Sequence, residues 1–511
     1  MKRHVSIVRQ ATACALCVLG IAVPVSAQIT TGTVSGSVKD SQGGVVPGAT
    51  IVLISESRGT KSVPAVTNET GDYVLPNITP DTYTIEISMP GFKTLKRTGV
   101  SVSGGDRVAV GSLVIEVGGA TETVDVTAEA PLIQASSGER SFTVATSSVE
   151  NLPLSTRNFA SLTQLTPGVT GTTTRLGGGG QNNIMMDGVS TMDTGNNGQM
   201  LQMNVEAIAE VKVLTSGYQA EYGRSSGLQI TAVTKSGTNR IHGSLYDVER
   251  DSDWNENSWV NSKNGLPKTI QKERDWGYSI SGPVGKPGGT NKLFFFYSHE
   301  YRPRESGRQV NRFRVPTLAE RNGDFSASTD QNGIPIPNLF DFSTGGTFGN
   351  KTIPADRIYK PGQAILKLWP EPNTTGLNYN YEVELPTVNT LIQQPALRLD
   401  YQPKSAWRIT GKYAGQMRSH EVNSIGGAAA PGVTARIPGF NDYVEPYPWI
   451  GTISVTNNLT LNATTFLEAT YGWVQNQLGS MIISPVSNRF NAGLGDLPLL
   501  FPEAGVIDPR Y

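Results

Sequence analysis

Over its C-terminal half the chain alternates apolar and polar residues with a period of two, and the apolar set ends in aromatics. In RDWGYSISG, Trp276, Tyr278 and Ile280 face one way and Gly277, Ser279 and Ser281 the other. In SAWRITGKYAG, Trp407, Ile409 and Tyr413 oppose Arg408, Thr410 and Lys412. In FLEATYGWVQ, Leu467, Ala469, Tyr471 and Trp473 oppose Glu468, Thr470 and Gly472. That is the period of a β-strand. A soluble sandwich shares the period, but its outer face rarely carries so many Trp and Tyr. An aromatic-ended apolar face opposite Lys, Glu and Arg fits a lipid-facing barrel wall around a wet lumen. NKLFFFYSHEY (residues 291–301) breaks the alternation, and the pattern gives no account of its inward Phe.

The first 27 residues read as an export leader. Lys2, Arg3 and Arg9 precede the short apolar run ATACALCVLGIAV, and Val25-Ser26-Ala27 is a small-residue cleavage site. The apolar run is too short to span a membrane as a helix, and no later segment approaches 18 apolar residues. Barrel strands are short and weakly apolar, so that absence leaves a membrane barrel open. Both cysteines, Cys14 and Cys17, lie in the leader. The chain after it therefore has no disulfide, thiolate metal site or cysteine nucleophile. Without the leader, 39 Lys and Arg face 43 Asp and Glu, a net charge near −4 with no basic stripe. No nucleic-acid partner is expected. With 56 Gly, 31 Pro and many short Thr, Ser and Val runs, the composition points to β-structure. At this length more than one domain is expected.

Residues 28–115 read as a small sandwich, its strands TVSGSVKD, TIVLISES, GDYVLPN, TYTIEISM and GSLVIEV divided by turns such as SQGGVVPG and NITPD. Gly71-Asp72-Tyr73, Tyr83-Thr84-Ile85 and Pro90-Gly91-Phe92 together resemble the carboxypeptidase regulatory-like domain. The resemblance implies a transthyretin-like, seven-stranded, non-catalytic fold. Residues 116–130 form a linker that opens on a Gly pair and carries the alternating run ETVDVTA, Glu122 to Ala128. With no hairpin partner beside it, that run can be a strand available to another chain, a last strand of the sandwich or an ordered linker. Residues 131–236 mix types. In SSVENLPLSTRNFASLTQLTPGV, Ser148 is placed to cap a helix whose apolar face is Leu152, Phe159, Leu162 and Leu165. IMMDGVS reads as a strand ending in a tight Asp-Gly turn, VEAIAEVKVLTSG as a short helix entering a strand, and LQITAVTKSGT as a strand stopped by Gly237.

LTPGV, MMDGV and VKVLTSGYQAEYGRSSGLQITAVTKSGT occur in that order and resemble the plug domain of TonB-dependent outer-membrane receptors, in the Oar-like branch that carries a regulatory-like sandwich. The resemblance implies that Asp187, Gly188, Tyr222, Gly223, Gly227, Thr234, Lys235 and Gly237 are plug motif residues, their glycines serving tight turns and close packing. It also implies that Glu122, Thr123, Val124, Asp125, Val126, Thr127 and Ala128 form a TonB box, with Asp125 an atypical member. GYSISGPVG, NKLFFFYSHEY, VPTLAERNGDFS, IPADRI and LWPEPN resemble the same branch's first barrel strands and loops, so residues 237–511 are expected to be barrel. The implied fold class is mainly β: a transthyretin-like sandwich, then an α+β plug, then an incomplete transmembrane antiparallel barrel. The implied partners are TonB of the inner-membrane energising complex, outer-membrane lipid and an extracellular substrate of unknown identity. No cofactor or metal is called for. Family barrels have 22 strands, which need about 220 residues before any loop. Only 274 residues follow Gly237 and residues 302–390 read as loop, so six to nine strands are expected. Such a section has open edges unsuited to lipid and is not expected to transport by itself.

Competing readings are weaker. Gly223-Arg224-Ser225-Ser226-Gly227 fits the G-x-S-x-G pattern, but a nucleophile elbow needs a helix after the turn, and SSGLQITAV enters a strand. DSDWNENSWVNS (Asp251 to Ser262) alternates oxygen ligands like a calcium loop, yet has Glu256 and Ser262 where that loop needs Gly and Glu. Gly177 to Gly180 lack the Lys of a phosphate loop. The alternative from another class is a secreted or surface adhesion protein that binds carbohydrate through the sandwich.

Overall fold

The computed structural model describes residues 30–119, 123–127, 138–144, 157–170, 173–174, 182–192, 198–218, 222–223, 226–307, 310–330, 332–367, 369–376, 378–384, 388–420, 443–444, 449–462, 464–476 and 481–482. Its first body is the sandwich: β1 (Gly32–Asp40), β2 (Thr50–Ser55), β3 (Ala65–Val66), β4 (Asp72–Ile78), β5 (Asp81–Ser88), β6 (Thr94–Val102) and β7 (Arg107–Ile115). One sheet has the order β4-β1-β7. The other is β3-β2-β5-β6, extended past β6 by β8 (Thr123–Thr127). Alternate residues of facing strands meet between the sheets: Val34 and Val38 of β1, Ile51 and Leu53 of β2, and Ile85 and Ile87 of β5 are all fully buried. The sequence runs missed β3 and β6, whose TLKRTGVSV carries three polar residues in succession.

The second body is a five-stranded sheet of order β13-β12-β15-β14-β9. Its strands are β9 (Arg140–Val144), β12 (Asn183–Met186), β13 (Val189–Ser190), β14 (Ile208–Ser216) and β15 (Gln229–Thr234), with a small ribbon of β10 (Val169–Thr170) and β11 (Thr173–Thr174) beside them. Of the helix expected in this region, the described part is a 3-10 segment, Phe159–Leu165. Its cap is Asn158, which accepts the Ala160 N–H; Ser148 and Leu152 lie outside the described residues. Phe159 and Leu162 face the core as the spacing predicts, whereas Leu165 is exposed. Pro167 two residues further on prevents another helical turn. The short helix expected before β14 is one 3-10 turn, Val205–Ala207.

The third body is one antiparallel sheet of seven long strands in meander order. They are β16 (His242–Asp251), β17 (Ile270–Pro283), β18 (Leu293–Gly307), β23 (Val388–Lys404), β24 (Trp407–His420), β26 (Trp449–Thr460) and β27 (Phe466–Asn476). The long connection between β18 and β23 holds two ribbons, β19 (Val310–Phe313) with β22 (Tyr381–Glu384) and β20 (Phe340–Asp341) with β21 (Gly346–Thr347). Its own contacts hold it: a capping box joins Thr317 and Glu320, and Arg357 grips Asp341 bidentately at 2.6 and 2.8 Å. A last ribbon pairs β25 (Tyr443–Val444) with β28 (Met481–Ile482). The seven-stranded sheet is open, because its outer strands β16 and β27 do not pair with each other.

Register converts the alternation into two faces. Trp276 pairs with Tyr301, Ile280 with Tyr297, Tyr297 with Leu397, Leu397 with Tyr413, Tyr413 with Ile453 and Ile453 with Trp473. These residues make one continuous apolar band on the convex side, where Ile280 and Ile453 are each 44% exposed. Aromatics end it above and below: Trp276 stacks on Tyr301 at 4.3 Å, while Trp407 stands at the short-turn end. From Trp407 to Met417 is about 33 Å of strand, hence about 25 Å across at a 40° tilt, the height of a lipid-facing band. The concave face carries Glu300, Arg302, Arg398, Asp400, Thr410 and Lys412, all at least nearly buried. The inward Phe residues now have their account: Phe294 and Phe296 are buried, and Phe296 joins Ala396 and Ala414 in the core of the second body.

Candidate functional site

The second body sits against the concave face of the seven-stranded sheet, so its attachments are the natural place to look for function. The turn between β12 and β13 is built on Asp187 (φ 51°) and Gly188 (φ 83°), a two-residue turn that needs positive φ at both positions. Its backbone aims the Asp187 carboxylate back across the sheet. One oxygen accepts the Thr234 N–H at 3.1 Å, the other accepts the Thr234 hydroxyl at 2.9 Å, and Lys412 of the wall lies at 3.0 Å. Beside it Val189 rests directly on Gly472 of β27, where any side chain would collide with it. Arg398 of the wall donates to the Thr234 carbonyl at 2.7 Å while pairing with Asp400 at 2.8 Å. A second anchor lies higher: Arg157 spans Glu206 of its own body at 3.3 Å and Glu300 of the wall at 3.5 Å. Glu300 is 0% exposed and also accepts the Tyr246 hydroxyl at 2.9 Å. Removing such buried charges from water is expensive unless each is paired, so the pairs favour this seating over a shifted one, although Arg157 Nε and Glu300 Oε1 are left without a hydrogen bond.

Of the residues singled out in the sequence, Asp187, Gly188, Tyr222, Thr234, Lys235 and Gly237 lie at or next to this seat, whereas Gly223 and Gly227 lie at the other end of β12 and β15. Thr234 and Asp187 are bonded to each other, and Gly188 makes the turn. Lys235 continues the chain with its N–H on the Ala207 carbonyl at 2.8 Å. Gly237 lies flat on the wall: a Cβ there would come within 2.7 Å of the Phe295 nitrogen and 2.8 Å of the Gly282 carbonyl oxygen. Tyr222 lines a small cavity with Gly104, Asp187, Lys212, Arg398 and Lys412, of about 30 Å³ and so large enough for a single water. The Gly223 carbonyl accepts Asn183 Nδ2 at 3.4 Å and Gln229 Nε2 at 3.0 Å. Gly227 leads through Leu228 into β15, a strand where a hydrolase elbow requires a helix. Ser225 lies outside the described residues. Among the described residues no group of three His, Cys, Asp or Glu is placed to hold a metal. Asp251 and Asp253 of the calcium-like loop are instead paired by Lys272 at 3.6 and 3.4 Å.

The sandwich docks at the short-turn end, on both other bodies. Its β6–β7 turn meets β14: Ser103 Oγ donates to Glu210 at 2.7 Å, the Gly104 N–H to the same carboxylate at 3.2 Å, and Lys212 pairs with Asp106 at 2.8 Å. Burial at this contact raises the Glu210 carboxyl above its ordinary 4.5, and the Ser103 and Gly104 hydrogen bonds only partly oppose that. Against the wall, Thr30 and Thr31 donate to Glu468 at 2.7 and 2.9 Å and Asn77 to Thr460 at 3.0 Å, while Arg408 meets Thr79. Of the run Glu122 to Ala128, the five residues Thr123–Thr127 form β8, paired in parallel with β6 from Thr94↔Thr123 to Thr98↔Thr127. Glu122 and Ala128 lie outside the described residues. The strand that the alternation left unpartnered therefore has a partner in its own chain. The anchors Arg157, Glu210, Lys212, Glu300 and Lys412 escaped the sequence reading. In an alternating strand an inward charge that meets a partner has the same spacing as one that meets water.

A sandwich, a second sheet seated by buried ion pairs, and a long-stranded wall with an apolar outer band define a barrel-type β-protein with an accessory sandwich. The outer membrane beta barrel domain family matches residues 233–500, more than half of the chain, and the chain belongs to that family. The carboxypeptidase regulatory-like domain matches residues 33–116. Among characterised proteins the chain is 27% identical over 329 residues to the TonB-dependent transporter Oar of Myxococcus xanthus. The match takes in 59% of this chain and 30% of that protein, so the chain spans less than a third of its relative's length. Similar solved structures include the outer membrane transporter YddB of Escherichia coli (14% identity, TM-score 0.36, covering 65% of this chain and 38% of that one). Another is the siderophore receptor PirA of Pseudomonas aeruginosa (14% identity, TM-score 0.29, covering 65% and 47%).

Proposed function

We propose that the chain is the sandwich, plug and first barrel strands of a TonB-dependent outer-membrane transporter that moves an unidentified substrate by energised uptake or export. The proposed division is an export leader (1–27), regulatory-like sandwich (28–115), linker with TonB box (116–130), plug (131–236) and barrel (237–511). The observation that carries this reading is the seat. Asp187 and Arg157 of one body pair with Lys412 and Glu300 on the inner face of an apolar-banded wall, as a plug must if it is to stay in a barrel. No energy source exists in the outer membrane, so moving such a plug requires work delivered mechanically from the inner membrane. Residues 122–128 are the strand through which TonB pulls, captured by strand addition. Outer-membrane lipid covers the apolar band, substrate arrives at the long-loop end, and no catalytic step is involved. No feature of the sandwich favours the carbohydrate-binding alternative.

The test is binding of the periplasmic domain of the host's TonB to the full chain in outer-membrane preparations. Deleting residues 122–128 should abolish binding while leaving the chain in the membrane. Undiminished binding by the deleted chain would sink the assignment of the box.

A further inference from the structure

The pairing of β8 with β6 decides how that strand is offered to a partner. The sandwich has few usable edges. β3 is a two-residue strand; of the other sheet's edges, β4 lies where Asn77 reaches Thr460 of the barrel wall and β7 runs into the linker at residue 116. β8 ends the five-stranded sheet, and among the described residues no strand lies on its outer side. Its approach is held as well: Phe92 bridges to Val117, the Lys93 N–H donates to the Glu116 carbonyl at 2.8 Å, and the Gly118 N–H to the Gly91 carbonyl at 3.1 Å. An ordered strand with one open backbone edge is a template for pairing with another chain.

We propose that the energising partner captures β8 in place, laying its own strand along the outer edge so that the sandwich forms part of the docking surface and moves with the strand. This rests on the reading of residues 122–128 as the box. The alternative route peels β8 from β6 first. Peeling breaks five paired residues to form a like number with the partner, an exchange with little net gain. Capture in place adds the new pairings without losing the old ones, and β6 has already ordered the backbone. The load path supports it too. β6 runs into the turn whose Ser103, Gly104 and Asp106 hold Glu210 and Lys212 on β14 of the plug. A pull on β8 held against β6 therefore reaches the plug through that turn, and also along the chain through β9, which pairs with the same β14.

The experiment is a reversible lock. Lys96 and Asp125 occupy paired positions, and no cysteine follows residue 27. The Lys96→Cys/Asp125→Cys full chain, oxidised in outer-membrane preparations, should form a disulfide. The oxidised chain should then bind the host's TonB periplasmic domain within twofold of the same chain after reduction. Amide exchange over Thr94–Val102 should stay slow when the partner binds. Failure of the disulfide to form would place β8 elsewhere and overturn the proposal. So would a tenfold or greater loss of binding on oxidation that reductant restores, because the strand must then leave β6. Val124→Pro separates the two readings. If it removes binding while the lock also removes it, the box stands and capture in place falls. If it leaves binding unchanged, the box itself is misassigned and both fall.

Discussion

At the scale of single residues the plug's position depends on a few buried charges and one missing side chain. Asp187→Ala removes the partner of Lys412, whose side chain is about nine-tenths buried, and leaves an uncompensated charge. The expected cost is about 3–5 kcal/mol of seating stability. Replacing both, Asp187→Ala with Lys412→Met, should recover part of it, and a double-mutant cycle on urea-induced release of the second body measures the coupling. Gly237→Ala should unseat the plug, because its Cβ would meet backbone of β17 and β18 rather than a side chain able to move. Gly411→Ala, with open space around its Cβ, is the silent control. Limited proteolysis of the plug reads both, and equal protease resistance in the two would contradict the close approach.

At the scale of elements two surfaces make separate predictions. The β6–β7 turn meets β14 with Glu210 facing Ser103, Gly104 and Asp106 and flanked by Lys212. The docked state raises this carboxyl and so binds its proton more tightly than the undocked state. Docking should therefore strengthen as pH falls from the raised value towards the ordinary 4.5, level off below it, and weaken as pH climbs through the raised value. Glu210→Gln should flatten that dependence, measured as amide exchange in residues 103–106 against pH. Steeper dependence in the variant would assign the effect to another group. On β27, Tyr471 is 73% exposed on the apolar band while its neighbour Thr470 bonds Thr456 on the inner face. Tyr471→Arg should cost about 2–4 kcal/mol of stability in lipid if the position lies near mid-membrane. Thr470→Ser should cost well under that. Heat- or urea-induced unfolding in vesicles checks the contrast, and equal effects would deny the face a lipid environment.

At the scale of the whole molecule each body touches the other two: sandwich on the second body through Lys212 and Asp106, second body on the wall through Asp187 and Lys412, and sandwich on the wall through Thr30 and Glu468. Carried in a closed barrel, where its two sheet edges are paired, this section should partition with outer-membrane material on fractionation, resisting extraction at high salt and yielding to detergent. Recovery in the soluble fraction would contradict the lipid-facing band. Two seating contacts on different strands explain why the wall alone is not uniformly polar inside. Phe296, with Ala396 and Ala414, supplies the apolar ground on which the core of the second body closes. A water-filled lumen would have no use for them.

The period-two alternation with aromatic ends determined the wall, its two faces and the identity of the outward residues. Side-chain direction in a strand follows from backbone geometry alone, whatever the strand's neighbours. The Asp-Gly turn at residues 187–188 was legible for the same reason, since its backbone angles are a local demand. Only the tertiary structure decided which polar inward residues are anchors. Lys412 and Thr410 share a face and a spacing, and what distinguishes them is a carboxylate brought from more than two hundred residues away. It also decided the form of residues 159–165, where packing of Phe159 and Leu162 is met by a short 3-10 segment. The strand at residues 123–127 shows the same division. Its alternation marked it as a strand with one partner missing, but whether that partner was β6 or another chain depended on an edge that forms only when the sandwich has folded.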